Sequence, residues 1–440
     1  MSKDDPITTH HMGVIATELE IEALSAGGRG VGRAEGKAWF VARGVPGDLV
    51  RARPWRQRPQ FVEAERVELI RPSPARREPA CRYQESCGGC PWMVLDEAEQ
   101  RRWKRRLVVD ALERIGGLRG VDVGETLACP QPLGYRNKVE FHAAPSGAGS
   151  WTLGLFSADP RPRLIDVERC AVLHDAANEL LPSVREWLRA GRARSAFRLV
   201  VRRSWTTGEL LVAGPAEEEF AAFVMERHPE IRGVVQLIAP PGRRGGVRTV
   251  RVRGRDWIEE RIGGASFHVP ASSFLQVNGP MAEPLLARLL ELAGDVAGAE
   301  LLDLYGGIGV SGLALAARGA RVTVCEADAE AVRCGREAAR RAGRELRFVR
   351  SDVARFLRAG APAPAVAVAN PPRGGMGRQG VEALVARRPG RIVVVSCDPA
   401  TLARDLRQLV EQGYRLGPVL PVDLFPQTAH VETLVALSCG

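Results

Sequence analysis

Lysine is nearly missing from this 440-residue sequence. Only Lys3, Lys37, Lys104 and Lys138 occur, so arginine supplies 58 of the 62 basic residues. The formal net charge of +10 suits a polyanionic partner. A skew this strong also follows from nucleotide composition, so basicity alone assigns no function. Long apolar runs are missing too, and no membrane span or membrane partner is expected. Met1 to His11 is polar, without an apolar signal core, which predicts a cytoplasmic protein. Internal repeats are absent. What the sequence does have is length for two or three domains and an apolar share of 45%, enough for real cores.

Nine cysteines, an odd number, argue against a disulfide framework and for metal or catalytic roles. Cys81, Cys87 and Cys90 crowd together in Cys81-x5-Cys87-Gly88-Gly89-Cys90, where two glycines let the backbone wrap closely. Three soft donors make a metal site that lacks a fourth ligand. Cys170 is the first candidate for it and Cys129 the rival. An iron–sulfur cluster is the favoured occupant and structural zinc the second. Cys325, Cys334, Cys397 and Cys439 stand apart.

The fold class expected is multi-domain α/β. Residues 12–70 alternate with period 2 between Pro/Gly turns and read as a small β-barrel, with a flexible turn at 27–32. The stretch with Val45-Pro46-Gly47-Asp48 at its turn resembles a TRAM domain, an OB-like RNA-binding module. Residues 71–79 form a linker. Residues 80–265 are expected to be a central α+β domain with the cysteine site, residues 96–130 packing instead on the C-terminal domain. Within it Glu97 to Ile115 reads as a helix with a basic face of Arg101, Arg102, Lys104, Arg105 and Arg106. Arg202, Arg203, Arg243 and Arg244 either face RNA or are ordinary solvated charge.

From residue 266 to 440 the rhythm becomes strand, loop, helix, with buried strands at 300–305, 321–326, 346–350, 364–369 and 391–396. That pattern predicts a doubly wound parallel sheet. Gly307, Gly309 and Gly312 satisfy G-x-G-x-x-G after the first strand, and Glu326 ends the next, where an acid can accept from ribose hydroxyls. Either NAD or S-adenosylmethionine fits these residues. Arg391 to Ser396 then delivers Cys397 to the carboxyl end of a buried strand, where open α/β sheets do their chemistry.

Asn370-Pro371-Pro372-Arg373, Ser396-Cys397-Asp398-Pro399 and His430-Val431-Glu432 together closely resemble the RNA uracil-5-methyltransferase family. The likeness spans nearly the whole chain and favours S-adenosylmethionine over NAD. It implies a C-terminal Rossmann-like class I methyltransferase domain, with Cys397 as nucleophile and Glu432 as proton acceptor. It also implies cofactor contacts from Gln276, Asp303, Tyr305, Gly307, Gly309, Glu326, Asp352 and Asn370. The cysteine spacing resembles the family's iron–sulfur subset, which implies a [4Fe–4S] cluster on Cys81, Cys87, Cys90 and Cys170. Barrel and cluster together point to the 23S ribosomal RNA branch rather than the tRNA branch, and to a monomer. Two residues depart from the family pattern: Asn370 stands where aspartate is usual, and Val310 replaces a polar residue. The competing readings are an RNA-binding homologue that has lost catalysis and an NAD-dependent oxidoreductase.

Overall fold

A computed structural model describes residues 16–147, 149–159, 161–238 and 248–440. Arg243, Arg244 and the Met1 to His11 stretch lie outside the described residues. The chain divides into two compact units. One comprises Met1–Glu85, Cys90–Gln100 and Gln427–Ala429, the other Ser86–Gly89, Arg101–Pro426 and His430–Gly440.

In the first unit β1 (Thr17–Leu24), β2 (Gly30–Ala34), β3 (Lys37–Ala42), β4 (Leu49–Gln57) and β5 (Phe61–Arg71) close a barrel in the order β1-β2-β3-β5-β4. In β1, Leu19 and Ile21 point inward while Glu18, Glu20 and Glu22 point out, so one face builds the core with Trp39, Val41 and Val50. The flexible turn expected at 27–32 is shorter than that, because Gly30 and Gly32 already belong to β2. Gly32 lies so close to β1 that a Cβ there would sit 2.3 Å from the Glu20 carbonyl oxygen. The linker is pinned rather than loose. Arg76 donates twice to the buried Asp48 carboxylate at 2.7 Å, and Ser73 N–H donates to it at 2.9 Å.

Helix α1 (Glu97–Arg114) stands where it was expected, but its basic face does not all meet solvent. Lys104 is fully buried, bonded to Asp423 and to the Phe425 carbonyl. Arg105 donates to the Val123 and Gly124 carbonyls.

The second unit holds two seven-stranded sheets. The first is built from β6 (Lys138–Gly147), β7 (Ser150–Phe156), β8 (Leu164–Asp166), β9 (Phe197–Arg203), β10 (Leu210–Ala213), β11 (Ile231–Ile238) and β12 (Arg248–Gly254). Helices α2 (Asp175–Asn178), α3 (Leu180–Arg189) and α4 (Glu218–Arg227) accompany it, with Trp187 of α3 packed edge-on against Phe220 of α4. Arg202 does not face RNA as one reading allowed. It is 1% exposed and donates to the Ser273 carbonyl at 2.6 Å. The hairpin β13 (Trp257–Ile262) and β14 (Ala265–Pro270) follows.

The C-terminal sheet runs through α5 (Gly279–Ala293), β15 (Glu300–Leu304), α6 (Val310–Ala317), β16 (Arg321–Glu326), α7 (Ala329–Arg341), β17 (Leu346–Arg350), α8 (Val353–Arg358), β18 (Val366–Ala369), α9 (Gly377–Val385), β19 (Arg391–Ser396), α10 (Pro399–Glu411), β20 (Tyr414–Val422) and β21 (Glu432–Cys439). The five expected strands are present, all parallel. The sheet as a whole is mixed, which corrects the purely parallel expectation. Its order is β17-β16-β15-β18-β19-β21-β20, and β21 runs antiparallel to both neighbours. The reason is local. Only residues 423–431 join β20 to β21, too few for the helical crossover that a parallel neighbour requires. Among the described residues, no helix is long and apolar enough to cross a membrane.

Candidate active site

Four parallel strands end on one edge of the C-terminal sheet and bring most of the sequence-singled residues there. After β15 the chain turns through Tyr305 to Gly309. Tyr305, Gly307 and Gly309 take positive φ values of 58°, 56° and 83°, a left-handed backbone that glycine adopts readily and tyrosine does not. Asp303 lies under this turn, fully buried, and accepts from the Ser311 hydroxyl at 2.8 Å. Burial pushes its carboxyl up to about 6. A Cβ at Gly306 or Gly312 would stand 2.9 or 3.0 Å from the Asp303 carboxylate, so the two glycines let the turn close over the acid. Glu326, at the end of β16, accepts from Gly307 N–H at 3.0 Å and Asp328 N–H at 2.8 Å. Asp352, just after β17, is exposed and caps α8 through Arg355 N–H. Asn370, half-buried after β18, donates its backbone N–H to the Leu304 carbonyl at 3.2 Å.

The next strand along the edge is β19, and its partner is the antiparallel β21. Ser396 pairs with Thr433, so Cys397 and Glu432 are one step beyond that pair on adjoining strands. An antiparallel strand starts where its neighbour ends, and this places Glu432 beside Cys397 although it comes 35 positions later. Asp398 then caps α10 by accepting from Thr401 N–H at 2.9 Å. Glu432 is 2% exposed, and burial pushes its carboxyl up to about 8. Burial raises the half-buried Cys397 thiol, the Glu432 charge raises it further, and Arg373 opposes both. Burial and the cations Arg373, Lys104 and Arg136 lower the His430 imidazole, against Asp398.

Sequence reasoning passed over several supporting residues. Asp405, on α10, accepts from Met376 N–H at 2.6 Å and Gly377 N–H at 3.1 Å, which fixes the loop that carries Arg373. A Cβ at Gly375 would strike that carboxylate at 2.6 Å, so the Gly374-Gly375 pair was the readable trace of it. Gln276 is half-buried, and Asn137 holds its segment: its side-chain amide donates to the Gln276 carbonyl at 3.1 Å and its backbone N–H to the Val277 carbonyl at 2.8 Å. Beside it Phe274 is 68% exposed, an unusual position for a large ring.

The cysteines sort into different environments. Cys325 and Cys334 are buried, and burial pushes both thiols up to about 12. Cys129 is also buried, donates to the Gln131 carbonyl at 3.2 Å and accepts from the Asn278 amide at 3.3 Å. These bonds account for it without a metal. Cys81 and Cys90 belong to the first unit, Cys87 and Cys170 to the second. Burial raises the Cys170 thiol, and Cys87 adds to the effect. Among the described residues, no group of three or more His, Cys, Asp or Glu side chains is arranged to hold a metal ion.

Residues 363–439, which contain Asn370, Cys397 and Glu432, match the family described as tRNA (Uracil-5-)-methyltransferase, and residues 281–386 match a methyltransferase small domain. An uncharacterized RNA methyltransferase of Synechocystis is 34% identical over 444 residues, covering 96% of this chain and 95% of that protein. Another, from Nitratidesulfovibrio vulgaris, is 34% identical over 448 residues, with 96% and 95% covered. The crystal structure of Pyrococcus abyssi tRNA (uracil-54, C5)-methyltransferase with S-adenosyl-L-homocysteine superposes with a TM-score of 0.75 at 23% identity, covering 96% of this chain and 100% of that one. This last likeness is one of fold. The chain is an S-adenosylmethionine-dependent RNA methyltransferase. It belongs to the RNA uracil-5-methyltransferase family.

The charges around Cys397 set a pH dependence that can be measured without substrate. A thiolate is stabilised by a cation and destabilised by an anion. Alkylation of Cys397 by iodoacetamide, followed by peptide mass spectrometry, should have its pH midpoint above that of an ordinary thiol. Arg373→Ala should move the midpoint up and Glu432→Gln should move it down, since Glu432 is ionised above pH 8. Midpoints shifted in the opposite sense would show that these charges do not act on the thiol.

Proposed function

We propose that the protein methylates C5 of a uridine in 23S ribosomal RNA through a covalent adduct between Cys397 and C6. The observation that carries this reading is the β19–β21 register, which sets a nucleophile and a buried carboxyl side by side on the edge that also holds the glycine turn. Gly307 has open space where a side chain would stand, so the turn with Glu326 beside it is a fitting cradle for the nucleoside of S-adenosylmethionine. That cofactor supplies an electrophilic methyl group on a sulfonium.

Uracil C5 is a poor nucleophile until the ring is activated. The Cys397 thiolate adds to C6, and the C5–C6 π electrons move toward O4 as an enolate. C5 then has the electron density to accept a methyl cation equivalent. Afterwards Glu432, as carboxylate, takes the C5 proton, the C5–C6 double bond re-forms, and the thiolate leaves. Burial makes Glu432 a stronger base than an exposed carboxylate, and it must be ionised to act. Asn370 and Gln276 supply amides that both donate and accept at a uracil edge. Asp303 serves from beneath, holding the turn that Tyr305, Gly307 and Gly309 present to the cofactor, with Asp352 at the adenine end. The uridine must leave its stack to reach Cys397, and the exposed Phe274 ring offers a stacking surface beside Gln276.

The closed barrel serves as a TRAM-type RNA-binding module in this reading. Cys81, Cys87, Cys90 and Cys170 would hold a [4Fe–4S] cluster. Four thiols are the right donor set, and the Gly89 backbone N–H donates to the Cys87 sulfur at 3.4 Å. A Cβ at Gly88 would press on the Ser157–Ala158 backbone at 3.2 Å, so this glycine lets the cysteine loop pack closely on that segment. Freshly purified protein should be brown, with iron and acid-labile sulfide in equal amounts. Colourless protein that contains zinc would replace the cluster with a structural zinc.

A tRNA substrate is the second reading, favoured by the description of the family matched at residues 363–439. A trapping experiment decides between the two. RNA substituted with 5-fluorouridine cannot lose its C5 substituent as a proton, so a working enzyme should remain bound through Cys397. Wild type with S-adenosylmethionine should give an adduct with ribosomal RNA by mass spectrometry, and Cys397→Ala should give none. An adduct with tRNA alone would move the substrate to the tRNA branch. No adduct with either RNA would contradict the covalent mechanism.

A further inference from the structure

Lys104 is one of four lysines in the chain, and among the described ones it alone is fully buried. It lies on α1, far in sequence from the catalytic residues. Its ammonium bonds to the Asp423 carboxylate, itself 4% exposed, and donates to the Phe425 carbonyl at 2.9 Å. A second buried pair sits next to this one. The Asn278 side chain, 0% exposed, donates to the Leu424 carbonyl at 2.8 Å and to the Cys129 sulfur at 3.3 Å, while its oxygen accepts from Met281 N–H at 3.1 Å. The Asp423 backbone N–H donates to the Leu127 carbonyl at 2.9 Å. Three consecutive residues, 423–425, are therefore held by buried polar groups from three other parts of the chain.

Those three residues open the short connection from β20 to β21, the connection that ends at His430 and Glu432. Asn278 stands two residues after Gln276. We propose that Lys104 is a positioning residue for catalysis: with Asp423, Cys129 and Asn278 it forms a buried polar latch that sets both the β20–β21 connection and the Gln276 segment against the target base.

Stability alone is a poor reason for such a cluster. Burying an ammonium and a carboxylate carries a large desolvation cost, and apolar replacement of a buried pair is often neutral or stabilising. What the pair supplies that apolar residues would not is direction, since each donor fits one acceptor in one place. A displacement of about 1 Å at a reacting group costs roughly a hundredfold in rate. Charge provides a second readout. His430 faces Arg373, Lys104 and Arg136 as cations and Asp398 as its anion, so removal of Lys104 should raise the imidazole pKa.

The inference rests on the methyltransferase reading, and the test separates the two. The double variant Lys104→Met/Asp423→Leu removes both charges without orphaning either. In the full-length protein it should fold with a similar melting temperature and bind S-adenosylhomocysteine as wild type does. Its kcat should fall about tenfold to a hundredfold with little change in KM for RNA, and the His430 ring, followed by NMR with His430→Gln for assignment, should titrate higher. A folded double variant with wild-type kcat and an unmoved His430 would overturn the proposal. If the double variant does not fold, Cys129→Ala decides, because it removes one latch bond and no charge. A severalfold loss of kcat at unchanged melting temperature supports the latch, and wild-type kcat refutes it. Wild type inactive on every RNA would refute the function assigned above, and the His430 titration would then judge the latch by itself.

Discussion

One strand direction decides what this protein can do. Had β21 joined the sheet parallel to β19, its first residue would lie at the opposite edge, a full strand length from Cys397. Because β21 runs antiparallel, Ser396 meets Thr433, and Cys397 and Glu432 share an edge with the glycine turn. The short connection of residues 423–431 enforces that direction. The rest of the site depends on it: the glycine turn after β15, the Asn370 loop after β18 and the Asp398 cap of α10 are all built from strand ends at the same edge.

Burial then sets the chemistry. Glu432 enters a core position where, among the described groups, burial alone acts on its carboxyl, which is raised accordingly. Cys397 sits next to it, half-buried, with Arg373 as the one nearby cation acting on the thiol among the described groups. Burial and the Glu432 charge thus favour the protonated thiol, and Arg373 favours the thiolate. The Asp405 staple matters in this respect because it holds the loop from which Arg373 acts.

Local chemistry was readable from the sequence and long-range contacts were not. Cys397 could be picked out because an apolar β-branched run ends in Cys-Asp-Pro, and the glycine turn because its spacing serves a strand-to-helix bend. The five parallel strands were visible as buried runs of ordinary length. Glu432 was visible only through likeness to a family, since nothing around residue 432 marks a base. Its pairing with Cys397 comes from strand direction, which hydrophobic pattern does not encode. Lys104 was read as part of a solvated or RNA-facing surface because its neighbours are arginines. Its partner Asp423 is 319 positions away, beyond the reach of any local pattern. Arg202 misled for the same reason, its acceptor being a backbone carbonyl at Ser273.

The central claim is that one cysteine and one carboxylate act on opposite ends of the same C5–C6 bond. It is tested most directly by counting hydrogen at C5. Ribosomal RNA carrying 5-deuterated uridine would be methylated with unlabelled S-adenosylmethionine and digested to nucleosides for mass spectrometry. The account predicts that every methyl group gained by wild type is matched by one deuterium lost. It further predicts that Glu432→Gln accumulates protein-bound RNA that has gained the methyl and kept the deuterium. A methylated uridine that retains its deuterium after release from wild type would contradict the account, since the methyl would then lie at another atom.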